Sequence, residues 1–420
     1  MLIFSYNFLL TLLLILGFPF WIFIIFKEKY RLSILRKLCI YDKPENIPQN
    51  LLMIHAVSVG EINAAIPFIE TIQQKHPDFS ILITCSTVTG YNNAKSKIKN
   101  CLIEYYPLDF LWCVKRFFYY YPVKKIFIFE TEFWPNLINQ AHLKKIPMFL
   151  INCRISEKSF PRYKIIQSFL WPFIDKIEMF YCQTSLDAAR LKSLSIYENK
   201  IKIINSIKFD AAVLHFNKMQ DKKIQLKFQL NEKARIFLAG STQEEENLFC
   251  LKAYLDAKKE FSDLNFILVP RKPESIDSTI NYLNKNNIPF SLRSKIDTCD
   301  KIKDILIVDT IGELFNLYSF ASVVFVGKSL VFNGGGQNPI EPAVFGKPVL
   351  MGKYYSNFQE IVDQMVSSDS IVIVNSPEEL LINLKILLNN PQKMSKISSN
   401  AKSFVFGKAS VCDRILKELL

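Results

Sequence analysis

Short apolar runs rich in β-branched and aromatic residues alternate along the chain with longer stretches of helical period. In the first half the runs are Leu51-Leu-Met-Ile-His-Ala, Ile81-Leu-Ile-Thr, Lys125-Ile-Phe-Ile-Phe, Met148-Phe-Leu-Ile and Met179-Phe-Tyr-Cys. In the second half they are Arg235-Ile-Phe-Leu-Ala, Phe266-Ile-Leu-Val, Ile305-Leu-Ile-Val, Val323-Val-Phe-Val, Pro348-Val-Leu-Met and Ile371-Val-Ile-Val. Unbroken apolar strands separated by helices predict parallel sheets covered on both faces. Two such sets predict two Rossmann-like α/β domains. Between them, Asn217 to Lys233 is polar, rich in Lys and Gln, and without a strand pattern. The boundary is therefore expected between residues 205 and 232, with domain ranges of 28–215 and 216–420.

A different pattern opens the chain. Residues 1–26 carry no charged side chain, and Phe8 to Phe26 is a nearly continuous apolar run. A helix needs roughly 20 such residues to cross a bilayer. The basic start and small-residue cleavage site of a signal peptide are missing. Lys27, Lys29, Arg31, Arg36 and Lys37 follow, against Glu28 alone, and positive flanks stay cytoplasmic. Residues 1–27 are expected to form a transmembrane anchor, with the body of the protein on the cytoplasmic side of the membrane. The alternative is an apolar helix buried in a soluble core or lying in the interface.

Composition narrows the partners. A chain of 420 residues exceeds one compact core and suits two domains. A net charge of +13 favours an anionic partner, whether nucleic acid, anionic membrane or phosphorylated substrate. Nine scattered cysteines, with no C-x-x-C pair, fit reduced thiols and no structural zinc.

The candidate chemistry lies where strands end, which is where ligands sit in such folds. Val331-Phe-Asn-Gly-Gly-Gly-Gln-Asn-Pro-Ile-Glu-Pro342 follows an apolar strand with three glycines, a good N-cap in Asn338 and a proline suited to a first turn. Glycines before a helix start can leave backbone N–H groups pointing outward to hold a phosphate. Glu341 could reach sugar hydroxyls beside it. His55-Ala-Val-Ser-Val-Gly-Glu61 places Ser58 and Glu61 at capping-box spacing. Gly60 permits close ligand approach, and a carboxylate there could take a proton from an attacking hydroxyl; capping alone remains the alternative. Glu130-Thr-Glu-Phe-Trp-Pro-Asn136 fits a site wall around Glu132 or an ordinary helix start. Arg154, Lys158 and Arg162 would suit an anionic acceptor or form a solvated loop. Ser241 and Thr242, Arg271 and Lys272, and Ile311-Gly-Glu313 close three more strands, with Arg271 well placed for a phosphate.

Seven of these stretches, in this order, resemble the Kdo (3-deoxy-D-manno-octulosonic acid) transferases. They are His-Ala-Val-Ser-Val-Gly-Glu (55–61), Glu-Thr-Glu-Phe-Trp-Pro-Asn (130–136), Asn-Cys-Arg-Ile-Ser (152–156), Gly-Ser-Thr (240–242), Val-Pro-Arg (269–271), Asp-Thr-Ile-Gly-Glu-Leu (309–314) and Asn-Pro-Ile-Glu-Pro (338–342). The resemblance covers nearly the whole chain. It implies a GT-B glycosyltransferase with an N-terminal acceptor-binding domain and a C-terminal domain for CMP-Kdo. It also implies an inverting transfer to the lipid A precursor (lipid IVA) at the cytoplasmic face of the inner membrane, with neither metal nor cofactor. Glu61 would be the general base, with Ser58, Gly60, Glu132 and Arg154 toward the acceptor. Ser241, Thr242, Arg271, Lys272, Ile311, Gly312, Glu313, Gly335, Gly336, Gln337, Asn338 and Glu341 would face the donor. The chain departs from the family pattern at Gln243, Lys272 and Gln337, where histidine is usual, and at Asn205 and Glu245, where glycine is common. A GT-B transferase using another nucleotide sugar, or a non-catalytic membrane-anchored relative, is the alternative. No nucleic-acid-binding signature appears.

Overall fold

The computed structural model describes residues 2–17, 28–221, 234–296 and 302–420. Every apolar run above forms a strand, and the strands assemble into two seven-stranded sheets. The first contains β1 (Leu51–His55), β2 (Ser80–Cys85), β3 (Leu102–Tyr105), β4 (Val123–Phe129), β5 (Met148–Cys153), β6 (Met179–Cys182) and β7 (Ile201–Ile203), in the order β3-β2-β1-β4-β5-β6-β7. The second contains β8 (Arg235–Thr242), β9 (Leu264–Pro270), β10 (Ser291–Leu292), β11 (Ile305–Ile307), β12 (Val323–Val326), β13 (Val349–Gly352) and β14 (Val372–Val374), in the order β10-β11-β9-β8-β12-β13-β14. Every pairing is parallel.

The three strands absent from the sequence reading, β3, β7 and β10, all lie at sheet edges. An edge strand is covered less completely, so its residues need not form an apolar run. Glu104 in β3, Lys202 in β7 and Ser291 in β10 interrupt the pattern accordingly.

Alternation sorts the central strands onto two cores. Met53, Ile126, Ile128 and Leu150 face one side of the first sheet, while Ile54, Phe127, Phe129 and Ile151 face the other. On that second side Phe68, from the helix Val59–Lys75, meets Phe127 and Phe129 edge-on, with ring centroids 5.3 and 5.7 Å apart.

The chain divides into two compact units, Met1–Ala211 with Ser410–Leu420, and Ala212–Ala409. Residues 222–233 of the polar segment between the strand sets lie outside the described residues. The last helix, Val411–Leu419, corrects the simple two-range division, because it joins the first unit. It buries Val411, Cys412, Ile415 and Leu416 in the same core as Phe68. Asp210 accepts the N–H groups of Val411 and Cys412 at 3.1 and 3.3 Å and so caps the helix start.

The apolar N-terminal helix runs from Leu2 to Leu16, and none of its residues is buried. Its few polar side chains converge on the first unit. The Tyr6 hydroxyl donates to Asp109 Oδ2 at 3.0 Å, and the amides of Asn7 and Asn136 exchange hydrogen bonds of 3.0 and 2.9 Å. Asp109 also accepts the N–H groups of Asn136 and Leu137, both at 2.9 Å. Among the described residues no helix is long and apolar enough to cross a membrane. Residues 18–27, the remainder of the expected anchor, lie outside the described residues. Of the basic flank, Arg36 pairs with buried Glu104 and lies over the Tyr41 ring, 5.0 Å from its centroid.

The paired aromatic contacts make Phe68 a keystone of the first unit. Phe68→Ala is expected to cost about 3–5 kcal/mol, read as a lowered denaturant midpoint of the full chain.

Candidate active site

In the first unit, β1 ends at His55 and the chain turns into the helix Val59–Lys75. Ser58 is its N-cap, and its Oγ accepts the Glu61 N–H at 3.4 Å. The Glu61 carboxylate accepts from the Val57 N–H at 2.7 Å and the Ser58 hydroxyl at 2.9 Å. The capping arrangement is therefore real, but it uses one bond per oxygen, and a carboxylate has lone pairs to spare. Burial raises the Glu61 pKa, its two local hydrogen bonds oppose the rise, and the charge of Glu130 adds to it. Glu132 is pushed up to about 7 by burial, then by the charges of Glu61 and Glu130. Three carboxylates thus share one strand edge, and the pKa values of Glu61 and Glu132 are displaced toward the range a general base needs.

The loop after β4 carries two of these groups. Glu130 adopts a left-handed φ of 61° while its N–H continues the ladder to the Ile151 carbonyl at 2.9 Å. Thr131 donates to the Arg154 carbonyl at 2.8 Å and joins this loop to the loop after β5. Helix Pro135–Leu143 then starts with Trp134 as N-cap, so the segment is a helix start as well as a wall. Arg154 and Lys158 are exposed. Gly60 is exposed too, and a Cβ built on it meets only Ser58 Oγ, at 3.7 Å.

His55, which opens the first motif, is fully buried on the side of the sheet facing Tyr106, with ring centroids 4.0 Å apart. Burial holds its pKa down at about 3. Its Nδ1 lies 3.0 Å from Thr84 Oγ1, so it is a neutral structural group and not the base.

In the second unit, Thr242, Gln243, Glu244, Glu245, Arg271, Lys272, Ser275, Lys328 and Gln337 line a cavity of about 450 Å³. The Arg271 N–H donates to the Thr242 carbonyl at 2.8 Å and so ties two strand ends together. Among the expected donor residues, Thr242, Arg271, Lys272 and Gln337 meet here. Four departures from the family pattern, at Gln243, Glu245, Lys272 and Gln337, lie in the same cavity wall.

Other expected donor residues are placed differently. Ser241 precedes the cavity with a left-handed φ of 55°. Ile311 is exposed, and Gly312, at φ 96°, has open space around it. Glu313 pairs with Arg293 at 2.9 Å and accepts from Thr310. Asn338 donates to Glu341 at 3.0 Å and accepts the Ile340 N–H at 3.2 Å, and the helix Ile340–Val344 begins one residue later than the sequence suggested.

The glycine run requires a correction. Two of its three N–H groups are spent inside the loop, as is that of Gln337, so no row of open donors remains. Gly334 donates to Val331 O, Gly336 to Lys328 O and Gln337 to Gly327 O. The glycines answer to packing instead. A Cβ on Gly334 would lie 2.2 Å from Lys328 O, while Gly335 and Gly336 hold φ of 81° and 75°. Sequence reasoning passed over Lys328 and Ser275 as cavity residues and met Glu246 only as part of a helix start.

Comparison with known proteins decides the family. A family model described as 3-Deoxy-D-manno-octulosonic-acid transferase (kdotransferase) matches residues 31–211. A 3-deoxy-D-manno-octulosonic acid transferase of Haemophilus influenzae is 31% identical over 391 residues, covering 92% of this chain and 91% of that protein. This chain belongs to the Kdo transferase family. A Rickettsia felis 3-deoxy-D-manno-octulosonic acid transferase is 30% identical across 88% of this chain and 78% of its own length. As a Kdo transferase family member the chain is a glycosyltransferase enzyme. Its GT-B-like fold matches the UDP-GlcNAc 2-epimerase of Neisseria meningitidis with a TM-score of 0.63 at 14% identity, over 88% of this chain and 99% of that one.

Two outcomes follow for a Kdo transferase built this way. Gly60→Ala has room for its methyl group and should stabilise the helix by about 0.5–1 kcal/mol. A loss of acceptor kcat/KM together with a raised melting temperature would identify Gly60 as a point of ligand approach. The charge of Glu130 adds to the burial that raises the Glu61 pKa. Glu130→Gln should therefore lower the Glu61 pKa and shift the acid limb of kcat/KM to lower pH, measured as a pH profile between 5 and 9.

Proposed function

We propose that this enzyme transfers Kdo from CMP-Kdo to the lipid A precursor, lipid IVA, with inversion and without a metal, and that Glu61 is the general base. The observation that carries the reading is Glu61 itself: a half-buried carboxylate with raised pKa at the carboxyl edge of β1. The names of the relatives supply the sugar.

In the proposed step an acceptor sugar hydroxyl attacks the anomeric carbon of Kdo while its proton passes to Glu61. The bond from that carbon to the phosphate oxygen breaks, and CMP leaves with the negative charge. Arg271, Lys272 and Lys328 around the second unit's cavity suit that developing charge. Ser58, Gly60, Glu132 and Arg154 are assigned to the acceptor. Ser241, Thr242, Ile311, Gly312, Glu313, Gly335, Gly336, Gln337, Asn338 and Glu341 complete the donor assignment. Gln337 and Gln243 donate hydrogen bonds without charge, so lysine and arginine carry the anion binding.

We further propose that residues 1–27 anchor the enzyme in the inner membrane with both units on the cytoplasmic side. The exposed apolar helix Leu2–Leu16 and the basic residues after residue 26 support this reading.

Purified full-length protein in detergent, given CMP-Kdo and tetraacylated lipid A precursor, should release CMP and form a Kdo-lipid product. Turnover with a UDP-sugar and none with CMP-Kdo would replace the donor assignment. Glu61→Gln should lower kcat by about 10²–10⁴-fold with CMP binding unchanged. Full specific activity in a destabilised Glu61→Gln protein would reduce Glu61 to a helix cap.

A further inference from the structure

Glu246 is fully buried, and among the described residues no cation pairs with it. Its carboxylate instead accepts four backbone N–H groups. Oε2 takes those of Gln243 at 2.9 Å and Lys328 at 2.5 Å, and Oε1 takes those of Ser329 and Leu330, both at 2.8 Å. Successive N–H groups turned toward one point form an anion-binding nest. Residues 328–330 make such a nest, and the anion that fills it comes from the protein's own chain. Charge-assisted bonds of this kind are about twice as strong as neutral ones.

The contacts run from that carboxylate to the cavity wall. Gln243 and Lys328, both lining residues, are held by it directly. Lys328 O then accepts the Gly336 N–H at 2.7 Å, and Gly327 O accepts the Gln337 N–H at 3.2 Å, so Gln337 is placed by the same turn. Ser329 braces the turn from the other side, donating to Val326 O at 2.6 Å and accepting the Gly352 N–H at 2.8 Å. The close approach at this turn also requires Gly327 and Gly352, whose Cβ atoms would lie 2.4 and 2.2 Å from neighbouring backbone.

We infer that Glu246 is a positioning residue of the donor cavity: it fills the 328–330 nest from inside and thereby sets Gln243, Lys328 and Gln337 against the bound nucleotide. The inference rests on the donor reading above. It has a chemical corollary. With the nest occupied, its three amides are closed to the donor phosphate, which is held chiefly by the side chains of Arg271, Lys272 and Lys328, so its affinity falls with salt.

CMP titration of the full-length protein tests this without an acceptor. Glu246→Gln turns an NH2 group toward two N–H donors and breaks two of the four bonds. It should weaken CMP binding by about tenfold or more, leaving the acceptor KM within about twofold. A purely structural role would lower stability and leave the Kd for CMP unchanged in the folded fraction, and that result overturns the inference. If Glu246→Gln does not fold, Ser329→Ala decides, because it keeps Glu246 and loosens the same turn. A raised Kd for CMP with unchanged acceptor KM supports the inference, and an unchanged Kd sinks it. Wild-type protein that binds no CMP would overturn the donor reading and this inference together. Wild-type binding matched by both variants overturns the inference alone.

Discussion

All fourteen strands among the described residues run parallel within their sheets, and this one constraint decides where chemistry can be placed. In a parallel sheet every strand ends at the same edge, and every crossover must leave from it. The loops after β1, β4 and β5 therefore bring Glu61, Glu130, Glu132 and Arg154 to one edge. The loops after β8, β9 and β12 bring Gln243, Arg271 and Lys328 to one cavity in the second unit. Residues far apart in sequence become neighbours because the ladder permits no other direction.

Where a parallel ladder stops, backbone N–H groups lose their partners, and this protein meets that need repeatedly with carboxylates. Glu61 takes the Val57 N–H, Asp187 the Ile155 N–H, Asp210 those at the start of the last helix, Asp109 those of Asn136 and Leu137, and Glu246 four at once. Each acid thus neutralises a local array of partial positive charge without a cation. Acidic side chains can then crowd the loop edges of a chain of net charge +13 while Arg271, Lys272 and Lys328 line the cavity. The same bonds that make Glu61 a helix cap hold its carboxylate in one rotamer at the strand edge. The observed cap and the proposed base coincide there because both require an acid at the third position of that helix.

Central strands were legible because burial on both faces demands apolar runs such as Val323–Val326. The edge strand β3 was hidden by Glu104, which is buried with Arg36 and Tyr121 as partners. The motifs after the strands were legible as well, since loops with Gly60, Arg271 or Gly312 break the apolar pattern sharply. The glycine run misled in mechanism although it marked the right loop: three glycines announce tight backbone, but which N–H groups are consumed depends on residues such as Gly327 and Lys328 meeting them in space. Glu246 was hidden in a run of three glutamates that reads as a solvated helix start. Only the fold distinguishes its fully buried side chain from those of Glu244 and Glu245. The return of the last helix was equally unreadable, because an amphipathic helix carries no address for the core it will join.

That returning helix sets an order of events during synthesis. The first unit is not contiguous in the chain: the seat for Val411, Cys412, Ile415 and Leu416 is built from residues before 212, and its occupant is translated almost 200 residues later. Domains generally fold as units from the N-terminus as they leave the ribosome. Here the leading unit must expose an apolar groove beside Ile62 and Phe68 throughout translation of the second. The leading unit therefore closes only after the second has been translated, when the last nine-residue helix takes its seat.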